Sequence, residues 1–208
     1  MSEELLPLFP LQVVLFPDSL LPLHIFEERY KQLINECLNE RKEFGINFVQ
    51  HGEMAKVGCT AEVHEVVKKY NDGKMDVLVR GSQRYLLVNP VMSSSLYSVG
   101  RVKLLQDQHE VTDTALTMDT IRLHNELVRV VYGGDEFTIE WDERNPILSF
   151  RIAQKAGMEL IQRQELLEQN SENQRLKLLH KYFVEVIPRL ERLGEAERII
   201  KSDGYRIN

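Results

Sequence analysis

His24, Glu27 and Glu28 stand as H-x-x-E-E, three side chains of types that ligate metals. A metal site needs at least three converging ligands, and no His-x3-His or Cys-x2-Cys spacing elsewhere in the chain adds to these. The six histidines are scattered at 24, 51, 64, 109, 124 and 180. The plainer expectation is a turn or hydrogen-bonding role for His24, with Glu27 and Glu28 serving the start of a helix. Serines 93 to 95 form a run without a G-x-S-x-G context, so they do not read as nucleophiles. No G-x-x-x-x-G-K-[ST] sequence supplies a phosphate cradle. The residues thus predict no catalytic group, no metal and no cofactor. Cys37 falls on an apolar helix face and Cys59 opens a strand. Two buried free thiols in a reducing cytoplasm are the expectation, rather than a disulfide.

Two arginine–aromatic pairs, Arg29-Tyr30 and Arg84-Tyr85, suggest binding instead. In one reading each tyrosine packs in the core while its arginine meets a carboxylate or a carbonyl. In the other, the pairs sit beside a groove between a β part and an α part and orient an extended peptide. Phe26 joins Arg29, Tyr30, Arg84 and Tyr85 as a candidate peptide contact. Trp141, flanked by Glu140, Asp142 and Glu143, is a further candidate contact point in a loop.

The elements that must position these groups are legible from periodicity. Leu5 to Tyr30 is strongly apolar, yet prolines at 7, 10, 17 and 22 break it, so no continuous helix runs through it. Short extended pieces are expected at Leu11 to Phe16 and Leu21 to Ile25, with a turn at Pro17-Asp18-Ser19. Phe26, Tyr30, Leu33, Ile34, Cys37 and Leu38 then fall on one face of a helix, with Glu27 and Lys31 as an i,i+4 pair. From Lys42 to about Leu105 the pattern is strand-like. It includes a β-bulge near residues 65 to 67, a tight hairpin at Asn71-Asp72-Gly73, a turn at Gly81-Ser82 and strand ends at Asn89-Pro90.

After Gln106 the chain turns helical. Leu116, Leu123, Leu127, Val130 and Val131 mark one helix stopped by Gly133-Gly134. Asn145-Pro146 reads as a helix start, with Leu148, Ile152 and Ala156 on one face up to Gly157. A short helix follows at 160 to 169. Ser171 and Gln174 form a capping box for a last helix whose Leu176, Leu179, Phe183, Val186, Leu190 and Leu193 repeat at heptad spacing. Pro188 should kink it and Gly194 end it, before a short amphipathic tail. The heptad serves either packing within the chain or a homodimer seam. These readings divide the chain into a β-rich part, 1–107, and a helical part, 108–208.

Composition sets the outer bounds. With 208 residues, 43% hydrophobic and 28% charged, this is an ordinary globular chain with enough apolar residues for a sizeable core. Its net charge of −6 argues against a general nucleic-acid or acidic-membrane binder, since those rely on basic surfaces. No segment approaches the roughly 18 to 20 unbroken apolar residues of a spanning helix. The acidic MSEE start does not resemble a signal peptide.

The motifs also carry a resemblance. PLFPLQVVLFP followed by LPLHIFEERY is similar to the opening of the Lon N-terminal, substrate-engaging domain. RQELLEQNSENQRLKLL, at 163–179, resembles the segment that closes it. VGCTAEVHEV, DGKMDVLVRG and QRYLLV lie between in the expected order, and residues 110 to 145 match least. Where the family has Gly after Phe-Pro this chain has Asp18, a residue that tolerates left-handed backbone. The resemblance implies an α+β fold, with a PUA-like β-rich pseudobarrel carrying one helix and then a helical bundle. It implies a stand-alone module without the ATPase and peptidase parts of the full Lon proteases. The function expected is therefore non-catalytic recognition of unfolded polypeptides or of a specific protein partner. The alternatives are an RNA-binding module, through Lys68, Lys69, Lys74, Arg80, Arg84 and Arg101, and a cryptic hydrolase.

Overall fold

Prolines 7 and 10, which forbid a helix, lie inside the first strand rather than before it. A computed structural model describes residues 3–142 and 148–203, with side chains as far as 193. Strand β1 is Glu4–Leu11, so the expected strand at 11–16 is instead the irregular link to the Pro17-Asp18 turn. The pairing explains why prolines are tolerated. Glu4 to Leu8 pair antiparallel with β6 (Ser98–Leu104), and Leu8 to Leu11 pair parallel with β3 (Phe44–Gln50). Pro7 and Pro10 therefore each pair with a single neighbouring strand, so neither has to complete a ladder on both sides.

Strand β2 (Leu20–Ile25) pairs with the first half of β5 (Met75–Val91), which also pairs with β4 (Glu53–Lys69). The order is β2-β5-β4-β3-β1-β6, and a further pairing of β5 with β6 closes the last five strands into a ring. Closure needs a long, bent β5, so the chain does not turn at Gly81-Ser82. A Cβ on Gly81 would stand 2.2 Å from the Phe16 carbonyl oxygen. The Gly81 amide donates to the Ser19 carbonyl, and the Asp18 amide to the Gly81 carbonyl. Asp18 itself holds φ 59°, a left-handed value that a glycine would take without strain. The β4 register slips at Val63/Glu65 and Val66/Lys68, where the alternation predicts a bulge, and Gly73 turns the β4–β5 hairpin at φ 80°.

Helix α1 (Glu28–Glu40) buries Tyr30, Leu33, Ile34 and Cys37. They pack on Phe9, Phe44, Ile46, Ala61, Val77 and Val79 of the sheet, and a second cluster of Leu6, Leu8, Tyr85, Leu87 and Val102 fills the other side. Phe26 is not on the helix face: it precedes α1 and is 57% exposed. Lys31 pairs with Glu28, three residues back, rather than with Glu27.

Helix α2 (Thr114–Tyr132) is capped by the Asp113 side chain and ends at Gly133, φ 75°. Its buried face runs through Thr117, Ile121, His124 and Val128, which leaves Val130 and Val131 exposed. Helix α3 (Ser149–Gln154) buries Phe150 and Ile152; the proposed start at Asn145-Pro146 lies outside the described residues. Helix α4 is Leu160–Glu168, and α5 runs unbroken from Glu172 to Asp203, through both Pro188 and Gly194. Its buried stripe is Leu176, Leu179, Phe183 and Ile187, with Leu193 exposed.

The chain forms two compact units: Met1–Gln108 with Met158–Asn170, and His109–Gly157 with Ser171–Asn208. One break falls after Gln108, and α4 is grouped with the strands rather than with the other late helices. Gln164 donates to the Val57 carbonyl of β4, and Arg163 stacks on Phe16 and reaches the Val14 carbonyl.

Candidate functional site

The free end of β2, the start of α1 and the end of β1 converge on a hollow of about 170 Å³ in the β-rich unit. Its walls are Phe9, Pro10 and Leu11 of β1, Leu23 and His24 of β2, and Phe26, Glu27, Arg29 and Tyr30 of the link and first turn of α1. Small-molecule pockets usually span about 300 to 1,000 Å³, so this one is sized for a single side chain rather than a metabolite.

Aromatic contacts make the walls rigid. Tyr30 is buried and stacks on Phe9, with centroids 3.9 Å apart and planes at 22°. The Arg29 guanidinium lies 4.5 Å from the Tyr30 ring centre. Burial raises the Tyr30 phenol above its ordinary value, with Arg29 opposing the shift. Arg29 is held over the ring by Glu27, through Nε at 2.9 Å and Nη2 at 2.7 Å. Glu27 thereby spends its carboxylate on Arg29, and it caps α1 with its carbonyl alone, which accepts from Tyr30 and Lys31.

His24 forms the polar wall. Its Nδ1 stands 2.6 Å from Asp76 Oδ1 on β5, directly across the strand pair, and the Tyr70 hydroxyl donates to Asp76 Oδ2 at 2.7 Å. These two bonds, His24 first, hold the Asp76 carboxyl below the usual carboxylate range. Lys68 lies 4.5 Å over the Tyr70 ring, and the His24 and Phe26 rings are 6.0 Å apart and near parallel. The H-x-x-E-E residues are thus each engaged: His24 by Asp76, Glu27 by Arg29, Glu28 by Lys31. Among the described residues no group of three metal-ligating side chains converges.

Of the six residues singled out in the sequence, Phe26, Arg29 and Tyr30 come together in this hollow. Arg84 and Tyr85 are elsewhere, 4% and 0% exposed. The Arg84 guanidinium bonds the carbonyls of Leu167 and Gln169, the Asn170 side chain and Asp107. Tyr85 donates to Asn47 in the interior of the strand ring, and burial pushes its phenol far up. Their sequence positions alternate on a strand whose faces both point into protein, which the local pattern does not reveal. Trp141 is half-buried and belongs to the helical unit. Phe9, Leu11 and Leu23 were missed as site residues because they read as core. Asp76 and Tyr70 were missed because their roles arise only from the β2–β5 pairing. Cys37 and Cys59 are both buried and free, and desolvation raises the Cys37 thiol to about 11.

Among the described residues no helix is long and apolar enough to cross a membrane. Comparison with known proteins matches residues 5–185 to the ATP-dependent protease La (LON) substrate-binding domain. Lon protease 2 of Herpetosiphon aurantiacus is 25% identical over 200 residues, 89% of this chain and 24% of that protein. Lon protease of Koribacter versatilis is 32% identical over 107 residues, 45% of this chain and 13% of that protein. Lon protease 2 of Syntrophobacter fumaroxidans is 23% identical over 96% of this chain and 27% of its own length. The chain thus spans only 13 to 27% of these relatives. Two solved structures share the fold. A Lon N-terminal domain protein from Xanthomonas campestris superposes with TM-score 0.67 at 24% identity, over 85% of this chain and 96% of that one. The N-terminal domain of a Mycobacterium avium complex Lon protease gives 0.71 at 16%, over 88% and 99%. Since the matched region takes in most of both units, the chain belongs to the LON substrate-binding domain family.

Proposed function

We propose that this chain is a recognition module for exposed apolar segments of polypeptides, unfolded proteins or a specific protein partner, and that the hollow beside β2 takes one apolar side chain of the bound segment. The observation that carries this reading is Phe26, a large aromatic left 57% exposed at the mouth of a hollow with aromatic walls. Leu20, 49% exposed on β2, extends the apolar surface. Exposed aromatic groups at the centre of such a surface dominate binding energy. Membership of a substrate-binding domain family supports the same reading.

The charges favour protein over nucleic acid. Of the six basic residues that might have formed an RNA-binding patch, Arg84 is buried and Lys74 pairs with Asp72. Arg101 faces Glu3 and Lys68 covers Tyr70. Counterion release needs free cations, and this set offers few.

The test is titration of the purified protein with a permanently unfolded polypeptide, such as a reduced and carboxymethylated globular protein, and with a panel of short apolar peptides. Saturable binding is expected, with Phe26→Ser weakening it by roughly tenfold or more while the circular dichroism spectrum stays unchanged. Absence of binding across the panel would sink the reading.

A further inference from the structure

We propose that a bound segment joins the open edge of β2 as an added antiparallel strand, with the apolar side chain opposite Leu23 entering the hollow. This rests on the reading of the hollow as a peptide site and specifies how the backbone of the segment is held.

The hydrogen-bond alternation of β2 decides which groups are on offer. The Gly81 amide donates to the Ser19 carbonyl at 3.0 Å, in line with the Leu20–Arg80 and Leu21–Val79 pairs. Bonds alternate along an antiparallel ladder, so Leu21, Leu23 and Ile25 turn their backbone polar groups to β5. Leu20, Pro22 and His24 turn theirs to the other flank, where no strand lies among the described residues. Pro22 costs the β2–β5 ladder nothing, since the N–H it lacks would point away from β5. Side chains alternate too: Leu21 and Leu23 pack on the cluster that holds Tyr30 and Leu33, while Leu20, Pro22 and His24 are exposed. On an added strand, the residue opposite Leu23 sends its side chain to the face of Leu23, and Leu23 lines the hollow. The unpaired edge and the hollow thus serve one segment: the hollow takes a side chain, and the edge takes the backbone of the residues on either side.

A second edge in the same sheet is built differently. Beyond Ala61, β4 has lost β3 and keeps only β5 as a partner. There its register slips twice, and Glu62, Glu65, Lys68 and Lys69 lie along it. Bulges and charges of this kind keep an edge from pairing with another chain. Strand β2 pairs without a slip and holds no Asp, Glu, Lys or Arg from Leu20 to Ile25. Its one obstacle is Pro22, which withholds a single donor while its carbonyl still accepts. Addition of a strand to such an edge is a common mode of peptide recognition. In antiparallel pairing, the residue before the anchored one exchanges two bonds with His24. The residue after it donates to the Pro22 carbonyl, and the third after it exchanges two bonds with Leu20. The N–H of the anchored residue itself faces away from β2.

The experiment uses an acetylated, amidated peptide of threonine and serine around one phenylalanine, N-methylated at one residue at a time and titrated against the wild-type chain. Methylation at the residue before the phenylalanine, and at the first and third after it, should each weaken binding by roughly three- to tenfold, the worth of one hydrogen bond. Methylation at the phenylalanine, or at the second residue after it, should change little. Pro22→Val, which supplies the missing donor at an exposed position, should tighten binding of the parent peptide by roughly three- to tenfold. A loss that does not alternate, a loss centred on the phenylalanine, or an affinity unmoved by Pro22→Val overturns strand addition while leaving the hollow as a peptide site. If the parent peptide does not bind the wild-type chain at all, the site reading falls and the inference with it.

Discussion

Each unit is locked by one buried arginine, and the two locks are built in opposite ways. In the β-rich unit Arg84 gathers mostly neutral acceptors: the Leu167 and Gln169 carbonyls at the end of α4, the Asn170 amide oxygen, and the partly exposed Asp107 carboxylate. A cation at a helix C-terminus meets the negative end of its dipole, so Arg84 fastens α4 to the sheet. In the helical unit Arg175 faces a buried carboxylate, Glu172, at 2.8 Å. That carboxylate also accepts from the Leu148 and Ser149 amides and the Ser149 hydroxyl, the N-terminal donors of α3. The first lock binds a helix end with positive charge, and the second binds a helix start with negative charge and then neutralises it. The lesson is that a cation set against helix-end carbonyls fastens the helix through its dipole, whereas a carboxylate buried against helix-start amides needs a cation beside it.

The largest effect should follow from breaking the second lock. Glu172→Ala takes from the buried Arg175 the carboxylate at 2.8 Å, and from α3 its N-terminal acceptor. A loss of about 3–5 kcal/mol is expected, seen in denaturant unfolding followed by the fluorescence of the single tryptophan, Trp141. Arg84→Met should cost somewhat less, about 3 kcal/mol, because Asp107 reaches solvent once released. Its signature is local: faster amide exchange over 160–170, with the amides of α3 unchanged. If Arg84→Met were instead the more damaging, the contrast between the two locks would be wrong. Gly81→Ala, which sets a methyl group against the Phe16 carbonyl, should cost about 1–3 kcal/mol in thermal unfolding of the β-rich unit. Tyr85→Phe, losing its bond to Asn47 and leaving that amide oxygen unpaired, should cost about 1–2 kcal/mol.

The helical unit carries its own response to acid. Burial in the helical unit lowers the His124 imidazole below the ordinary histidine value; its Nε2 bonds the Phe137 carbonyl and its Nδ1 has no partner. The unfolded chain binds that proton more readily, so this stabilisation is complete above about pH 6.5 and drains away as the pH falls below it. Asp119, lowered by its bonds from His180 and then Arg122, adds stability that is lost only below the ordinary carboxylate range, near pH 4. Denaturant midpoints read through Trp141 should therefore fall between pH 7 and pH 5, and His124→Gln should flatten that slope. A slope that survives the substitution would place the titrating group elsewhere.

The same buried groups show where sequence reasoning stopped. Arg84-Tyr85 and Arg29-Tyr30 look alike in the chain, yet one pair is interior and the other lines a hollow. A strand buried on both faces has no alternation to announce it, and Arg84 bonds Leu167, Gln169 and Asn170, more than eighty positions away. The segment from Gln164 to Arg175 carries the resemblance to its family through residues whose role is structural. Gln164 bonds the Val57 carbonyl, Ser171 caps α5 through the Gln174 amide, and Glu172 and Arg175 form the lock. His24 was legible as a hydrogen-bonding residue, but its partner Asp76 lies 52 residues on.

Local physics was enough for what depends on near neighbours. Asp18 and Gly73 at the turns, the Gly133 stop, the apolar face of α1 and the α+β order all follow from spacing and from what each residue allows its own backbone. Tertiary structure alone decided whatever joins distant strands. The closed ring requires Gly81 to remain in a strand, and prolines sit in β1 because its partners change midway. The contacts that bring β1, β2 and α1 around one hollow are long-range, and no window along the chain contains them.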